Sequence, residues 1–382
     1  MYRKLTATTI FNGYQFLPKD SVLLVDENGT IVDILPATEA GDDVEFFEGT
    51  LSPGFINCHC HLELSHLKGK IEKNTGLIDF LGKIMLERNA TDIEISTAIE
   101  SAESEMIQNG IVAVGDICNN INTIPQKTKQ QLHYHNFIEV AGFPVEMANA
   151  RFEKILEVYH QFKTHFSKTS IVPHAPYSDS TALLQKIVDY EENNLISIHN
   201  QEAIEETILY QNKSGGFADF YRRFNISMDS FEPKGKSSLQ DILPHFKINQ
   251  PLLLVHNVFT EEADVQYAKT FYGDLISNLY FCLCPNANLY ISNSLPNLEM
   301  LFNNNCNFVI GTDSLASNDQ LCIYNEINVL KKHFPFIPME NLLQWATING
   351  ARALQVDDIY GSFEKGKTPG VLLLGEGVRR IV

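Results

Sequence analysis

The chain has 382 residues, a formal net charge of −18 and a hydrophobic content of 44%. Its length allows one large domain plus a small one with an ample core, so a metal ion is not needed merely to hold the fold together. The negative charge argues against binding to nucleic acid or to an anionic membrane surface, since both reward clustered Lys and Arg. We therefore expect a small-molecule ligand.

Signals for export or membrane insertion are missing from this sequence. The N-terminal region has no uninterrupted apolar stretch of the signal-peptide type, and no run of about 18 apolar residues occurs along the chain. The seven cysteines are scattered, which fits reduced buried thiols better than a disulfide framework. These features predict a cytoplasmic protein.

Both ends of the chain have patterns that are typical of short β-strands. Near the N-terminus, alternating apolar residues flank turn signals, among them the Asn28-Gly29 pair of a hairpin. The C-terminal stretch GSFEKGKTPGVLLLGEGVRRIV is interrupted by glycines and is too short for a domain of its own. We expect residues 1–52 and 357–382 to form one small composite β-sandwich domain, and residues 53–356 to form the catalytic domain.

Between the two ends, short apolar runs alternate with longer segments of helical periodicity. The apolar runs are FINCHCH, GIVAVGDI, LHYHNFIEV, SIVPHAPYS, LISIHNQE, PLLLVHNVF, LYFCLCPNA and NFVIGTDS. Helical segments such as STAIESAESEMIQN and ARFEKILEVYHQFKTHF lie between them. Eight β/α units predict an α/β fold of the (β/α)8 TIM-barrel class, with a doubly wound open sheet as the alternative.

Histidines and carboxylates stand at the ends of these runs, where barrel enzymes carry their chemistry. Taken in order, the runs end with His59 and His61, His174, His199 and Glu202, His256, and Asp313. Because side chains alternate along a strand, His59 and His61 point to one face while Cys58 and Cys60 point to the other. A Cys2His2 site built from four adjacent strand residues is therefore unworkable.

His199 and Asp313 can complete a metal site with His59 and His61. Three neutral imidazoles and one carboxylate, with a position left for water, suit one divalent metal ion, Zn or alternatively Fe. A single histidine is more often a packed core residue. The joint placement of these residues at strand ends favours the metal site.

Five motifs in fixed order, PGFINCHCH, PHAPYS, IHNQE, VHN and GTDS, resemble the amidohydrolase superfamily. The resemblance covers nearly the whole chain and points to the mononuclear aminohydrolase branch. That branch includes guanine, S-adenosylhomocysteine and aminodeoxyfutalosine deaminases and the triazine hydrolases. Binuclear relatives place a metal-bridging Lys near the end of the fourth strand, where this chain has His174, so the resemblance implies a single metal ion.

Carried over by position, the resemblance implies four metal ligands: His59, His61, His199 and Asp313. It further implies that Glu202 is the catalytic acid/base and that His256 polarises the substrate or orients the attacking water. Asp313 can also accept a proton from that water. Together these groups suffice for hydrolytic deamination.

Three residues of the PHAPYS motif, His174, Tyr177 and Ser178, resemble the substrate-contacting segment of nucleoside-type deaminases. Glu63 follows His61 closely enough to reach a substrate amine or hydroxyl, with a solvated or helix-capping carboxylate as the alternative. The insertion 213–247 predicts either part of a lid or a surface decoration.

We predict a metal-dependent hydrolase, favoured as a deaminase that releases ammonia from a purine-like heterocycle. A 5′-modified adenosine, such as aminodeoxyfutalosine or S-adenosylhomocysteine, is the favoured substrate. Hydrolysis of a cyclic amide or of another C–N bond, or chlorohydrolase-type chemistry, is the alternative, because fold and metal do not fix the substrate. A non-catalytic binding protein is the least favoured alternative. Relatives are commonly dimers or larger, so we expect a homo-oligomer.

Overall fold

The computed structural model describes residues 2–190, 192–193 and 195–382. The strands are β1 (Tyr2–Ile10), β2 (Ser21–Asp26), β3 (Ile31–Pro36), β4 (Val44–Pro53), β5 (Phe55–Cys60), β6 (Ile111–Cys118), β7 (His133–Val140), β8 (Thr169–Pro173), β9 (Ile196–Asn200), β10 (Leu252–His256), β11 (Leu279–Leu283), β12 (Asn307–Ile310), β13 (Val371–Leu374) and β14 (Val378–Arg380).

The α-helices are α1 (Ala37–Ala40), α2 (Leu77–Glu87), α3 (Asp92–Gln108), α4 (Ile124–Lys127), α5 (Ala148–Lys163), α6 (Thr181–Asp189), α7 (Ile204–Asn212), α8 (Gly216–Arg223), α9 (Ser238–Ile242), α10 (Glu262–Tyr272), α11 (Pro285–Ser292), α12 (Leu298–Asn303), α13 (Ile323–His333), α14 (Met339–Ala346) and α15 (Ile348–Ala353). Short 3-10 helices cover Leu62–Leu67, Val145–Met147, Pro176–Ser178, Leu243–His245 and Gly273–Asn278. Among the described residues, no helix combines the length and the apolarity needed to cross a membrane.

Strands from both ends of the chain share one sheet, in the order β14-β13-β4-β1-β2-β3. The predicted hairpin at Asn28-Gly29 joins the antiparallel strands β2 and β3. At the other side of the sheet, β13 pairs antiparallel with β4, and Val371 lies opposite Pro53. The last strands of the chain therefore lie beside the segment that leads into β5.

Each of the eight apolar runs contains one strand of two parallel four-stranded sheets. One sheet has the order β5-β6-β7-β8 and the other has the order β12-β11-β10-β9. Backbone hydrogen bonds connect the two sheets at both edges. The amide of His199 donates to the carbonyl of His174 at 3.0 Å, and the amides of Thr312 and Asp313 donate to the carbonyl of His59, each at 3.0 Å.

The strands are apolar because both of their faces are covered. Every residue of β5, β6, β8, β9 and β10 is buried, as expected for parallel strands that lie under amphipathic helices. Gly350 of α15 allows this helix to approach β5, since a Cβ atom there would lie 2.7 Å from Ile56 Cβ and 3.1 Å from Cys58 Sγ. Cys58 thus faces the helical layer, away from the strand-end histidines.

Candidate active site

Five of the predicted site residues converge where the parallel strands end. Ligand atoms of His59, His199, His256 and Asp313 all lie within 4.8 Å of one another. His61 Nε2 belongs to the same cluster, because it lies 3.2 Å from His59 Nε2, 3.3 Å from His199 Nε2 and 3.4 Å from Asp313 Oδ1. Residues far apart in sequence therefore present their ring nitrogens and one carboxylate to a common point.

The spacing of these atoms fits a single small cation. Ligand atoms arranged tetrahedrally at about 2.0 to 2.1 Å from an ion lie about 3.3 to 3.4 Å from one another. The four measured separations among His59, His61, His199 and Asp313 range from 3.2 to 3.5 Å. The donor set of three imidazoles and one carboxylate is also one that Zn and Fe accept.

Hydrogen bonds to neighbouring groups orient several of these side chains. The Nδ1 atom of His199 donates to the carbonyl of His174 at 2.7 Å, which leaves Nε2 free as an acceptor or ligand. The Ser317 hydroxyl donates to Asp313 Oδ2 at 2.6 Å, so that Oδ1 faces the imidazoles. By contrast, the Nδ1 atoms of His59 and His61 have no hydrogen-bond partner among the described residues.

The protonation states match those that metal ligands require. Burial lowers the pKa of His61 well below its usual value, despite the opposing Asp313 carboxylate, and burial lowers the pKa of His199 to about 4. Burial opposes ionisation of Asp313, but a hydrogen bond with His59 and the nearby His61 hold its pKa well below the usual value. Neutral imidazoles and an ionised carboxylate are the forms that bind metal.

The backbone is held in an uncommon conformation at two of these residues. His256 has a φ of 76° and Asp313 has a φ of 58°, in the left-handed region that only a few per cent of non-glycine residues adopt, His and Asp more often than most. Such strain persists only where the surroundings enforce it, and it is concentrated at functional sites. Gly311 contributes to this placement, since a Cβ atom there would lie 2.7 Å from His59 Cβ.

Glu202 lies next to His256, which belongs to the cluster. Glu202 Oε1 lies 3.6 Å from His256 Nε2, and both side chains are buried. The side-chain amide nitrogen of Asn288 donates to His256 Nδ1 at 3.0 Å. The ring proton of neutral His256 is therefore on Nε2. Burial, reinforced by the Asp313 and Glu206 carboxylates, raises the pKa of Glu202 well above its usual value.

A cavity of about 610 Å³ opens onto these groups. This volume is typical of small-molecule sites, which range from about 300 to 1,000 Å³. One end, called here the metal end, is lined by His61, His174, His199, Glu202, His256 and Asp313. The other, called here the distal end, is lined mainly by apolar and aromatic side chains from α2, α5 and α8, with Arg88, Arg151 and Lys154.

The insertion 213–247 supplies part of the distal end. Helix α8 places Phe217, Phe220 and Tyr221 against the cavity. The Phe217 ring stacks on Tyr177 at 4.1 Å between centroids, and the Tyr221 ring stacks on Phe143 at 4.5 Å. The insertion therefore forms part of the cavity wall, so it is not purely a surface decoration, and the lid stays a prediction.

The predicted substrate-binding residues do not all reach the cavity. His174, Tyr177 and Ser178 line it, and the Ser178 hydroxyl lies 2.7 Å from His174 Nδ1. Glu63 is buried but is not among the cavity-lining residues. Its Oε2 atom accepts hydrogen bonds from the backbone amides of Asn119 and Asn120, so it connects the loop after β5 to the loop after β6.

The sequence interpretation overlooked several groups at this site. Glu139 is the last residue but one of the third apolar run and lines the cavity, so the same rule of strand-end residues could have identified it. Its Oε2 accepts a hydrogen bond from the Asn119 side chain at 3.0 Å. Ser317 and the distal cations Arg88, Arg151 and Lys154 belong to loops and helices, where no strand-end signal marks them.

Parallel β/α architecture with a strand-end cluster of histidines and an aspartate defines a metal-dependent hydrolase. The chain matches the family model "Amidohydrolase family" over residues 50–374. The protein belongs to the amidohydrolase family.

Individual relatives have low sequence identity to this chain. The chain is 26% identical to an adenosine deaminase of Helicobacter pylori over 338 residues, which is 87% of this chain and 80% of that protein.

Two solved structures have a similar fold. The Helicobacter pylori aminofutalosine deaminase in complex with methylthio-coformycin matches with a TM-score of 0.83 and 24% identity, over 98% of this chain and 93% of that one. An adenosine deaminase from Xanthomonas campestris with bound zinc matches with a TM-score of 0.71 and 20% identity, over 97% and 83% of the two chains.

Proposed function

We propose that the protein is a hydrolytic deaminase that uses one divalent metal ion to release ammonia from an adenosine-like substrate. The observation that carries the proposal is the convergence of four ligand atoms, from His59, His61, His199 and Asp313, next to the Glu202–His256 pair at one end of a cavity. The similarity to an adenosine deaminase and to the structure of an aminofutalosine deaminase supports the same reaction.

Zinc is the proposed ion, with iron as the alternative. The ligand spacing and the lowered pKa values of His61 and His199 support a small divalent cation without separating zinc from iron. Bound at this position, such an ion acts as a Lewis acid and makes water nucleophilic near neutral pH. The Asp313 carboxylate, ionised and fixed by Ser317, can receive a proton from the attacking water.

Glu202 acts as the general acid in this proposal. Its raised pKa favours the protonated form of the carboxyl group, which can protonate a ring nitrogen of the substrate. Protonation removes electron density from the neighbouring amino-bearing carbon and favours addition of water there. The proton that Asp313 took from the water can then pass to the amine, which leaves as ammonia when the C–N bond breaks and the added oxygen becomes a carbonyl. The proton released by that oxygen restores the Glu202 carboxyl group.

His256 and His174 place the substrate relative to Glu202. The Nε2–H group of His256 can donate to the negative charge that develops on the attacked side of the ring. The Ser178 hydroxyl donates to the carbonyl of Ala175 at 3.0 Å, so the proton between Ser178 and His174 belongs to His174 Nδ1. His174 Nε2 is then an acceptor for an N–H or O–H group of the ligand.

The distal end favours a substrate with a substituent beyond the sugar. Aromatic side chains of α8 and three cationic side chains, Arg88, Arg151 and Lys154, line a part of the cavity that adenosine alone does not need. Three cations at one site stand out in a chain with a net charge of −18. We infer a 5′-modified adenosine whose substituent ends in an anionic group, as in aminodeoxyfutalosine and S-adenosylhomocysteine.

We also propose that the two parallel sheets form one closed eight-stranded barrel. The hydrogen bonds that link β5 to the segment after β12, and β9 to the segment after β8, support closure at both seams. The division into a barrel of residues 53–356 and a β-sandwich of residues 1–52 and 357–382 accompanies this proposal. A homodimer stays a prediction.

A coupled ammonia assay tests the proposed reaction. The purified protein is offered adenosine, 5′-methylthioadenosine, S-adenosylhomocysteine, aminodeoxyfutalosine and a set of cyclic amides, with Asp313→Ala as the inactive control. We expect ammonia from the adenosine compounds and none from the control. Ring opening of a cyclic amide without ammonia, or no turnover of any adenine compound, would contradict the proposal.

A further inference from the structure

A buried lysine lies behind the metal end of the cavity. Lys127 is the last residue of α4, and its side chain and that of Asp116 are both fully buried. The Nζ atom lies 2.5 Å from Asp116 Oδ2, donates to Asn136 Oδ1 at 2.7 Å, and lies 3.2 Å from Cys118 Sγ. An ammonium group has three N–H donors, so these three contacts satisfy all of them.

This ion pair is isolated from solvent, and leaving either charge alone there would be costly. The ammonium group also lies 4.7 Å from the ring centroid of Tyr134 and 5.3 Å from that of Phe162. Burial alone would lower the pKa of Lys127, but Asp116 and Cys118 together outweigh burial and raise it. Lys127 therefore holds the Asp116 side chain in one orientation.

The second carboxylate oxygen of Asp116 contacts the backbone next to a predicted metal ligand. Oδ1 accepts a hydrogen bond of 2.8 Å from the backbone amide of Leu62, the residue that follows His61. Two positions after His61, the Glu63 carboxylate accepts the backbone amides of the loop after β6. The backbone just beyond His61 is thus attached to β6 and its loop at two successive residues.

His61 depends on this backbone attachment more than His199 does. A metal-binding histidine is ordinarily oriented by a hydrogen bond to its second ring nitrogen, as His199 is by the carbonyl of His174. The Nδ1 atom of His61 has no such partner among the residues that the structure describes. The direction of its ring must therefore be set by its backbone and its packing.

We propose that Asp116 and Lys127 are positioning residues for the metal ligand His61, acting through the Leu62 amide. The inference rests on the proposed function only in taking His61 as a ligand. It does not depend on the substrate or on the reaction, because metal affinity alone can test it.

Two double variants of the full-length protein separate the hydrogen bond from the buried charges. Asp116→Asn/Lys127→Met removes both charges and keeps an amide oxygen for the Leu62 N–H group. Asp116→Leu/Lys127→Met also removes both charges but offers no acceptor at that place. Replacing a buried ion pair on both sides is generally tolerated, whereas removing one partner is not. The affinity for Zn²⁺ is measured on metal-stripped protein by competition with a chelating dye.

We expect the Asn/Met variant to keep the Zn²⁺ affinity of the parent and the Leu/Met variant to lose about 10- to 100-fold, the range typical of groups that orient a metal ligand. The unfolding temperature of the metal-free proteins is measured alongside, since a merely structural role would lower it without a selective loss of affinity. Equal Zn²⁺ affinity in the two double variants would overturn the proposal.

A matched control and a reserve variant complete the test. Lys129→Met removes a lysine two residues away whose ion pair with Glu100 is solvent-exposed, and it should leave Zn²⁺ affinity unchanged. A loss of affinity there equal to that of the Leu/Met variant would also overturn the proposal. If the Leu/Met variant does not fold, Asp116→Ala/Lys127→Met replaces it with the same expected loss and the same contradicting result.

Discussion

The two ends of the cavity are built from different parts of the fold. At the metal end, side chains come from strand termini, are buried, and are held by hydrogen bonds and by backbone in the left-handed region at His256 and Asp313. At the distal end, side chains come from helices, and the cations Arg88, Arg151 and Lys154 are exposed. The metal end therefore has a fixed geometry. The distal end offers exposed side chains, which we propose contact the 5′ substituent of the substrate.

This difference separates reaction from specificity. Changes at the metal end should alter metal binding or the chemical step for every substrate, because each substrate presents the same ring there. Changes at the distal end should alter KM for some substrates and leave others untouched. Variants at the two ends can break or sharpen this comparison.

The largest effect is expected for Asp313→Ala. This change removes a proposed metal ligand, and the several kcal/mol that a metal ion supplies correspond to a loss of more than about 10³-fold in kcat/KM. Metal analysis and the ammonia assay on the same sample should show both losses together. Asp319→Ala, at an exposed aspartate paired with Lys73, is the control and should change neither.

Glu202→Gln should keep the metal ion and lower kcat by about 10²- to 10⁴-fold, because an amide cannot donate a proton as an acid does. Its pH profile gives a second readout. Since burial raises the pKa of Glu202, the protonated acid persists to higher pH than for an exposed glutamate, and activity should decline as pH rises through that pKa. Glu205→Gln is the control. This glutamate follows Glu202 by three residues and does not line the cavity, so the variant should behave as the parent protein. Full activity of Glu202→Gln would refute its role as the acid.

His256→Asn distinguishes a catalytic donor from a metal ligand. We expect metal content to stay at the parent level and kcat to decrease by about 10²-fold, as for loss of one preorganised hydrogen-bond donor. Loss of the metal ion in this variant would instead make His256 a ligand, which its place in the same cluster of ligand atoms allows.

The smallest effect is expected at the distal end. Arg151→Ala should raise KM about two- to fivefold for adenosines that carry an anionic 5′ substituent, as expected when an exposed cation is lost from an ion pair. KM for adenosine itself should not change. Arg222→Ala is the control, because this arginine lies on the cavity-forming helix α8 but pairs with Asp219 at the surface. Equal effects on neutral and anionic substrates would contradict the assigned role of Arg151.

The sequence predicts the metal end well and the distal end poorly, for physical reasons. Alternation along a strand determines that His59 and His61 point the same way, and parallel strands bring distant strand ends together. The contacts of Arg151 or Phe217 depend on how α5 and α8 pack, and helical periodicity does not encode that. Glu63 shows the limit of sequence proximity, because its carboxylate turns to the amides of Asn119 and Asn120 instead of lining the cavity.

Lys127 and Asp116 were also beyond sequence interpretation. Lys127 belongs to a four-residue helix in a region without a clear helical pattern, and a lysine is ordinarily expected at the surface. Only the fold shows that Lys127, on α4, places its ammonium group beside the carboxyl group of Asp116, near the end of β6.

A zinc titration of metal-stripped protein, with ammonia release from a 5′-modified adenosine measured at each step, tests the central claim most directly. The account predicts that activity rises in proportion to bound zinc and reaches its plateau at about one ion per chain. Failure to bind zinc or iron, ammonia release that does not depend on metal, or a plateau at two ions per chain would contradict it.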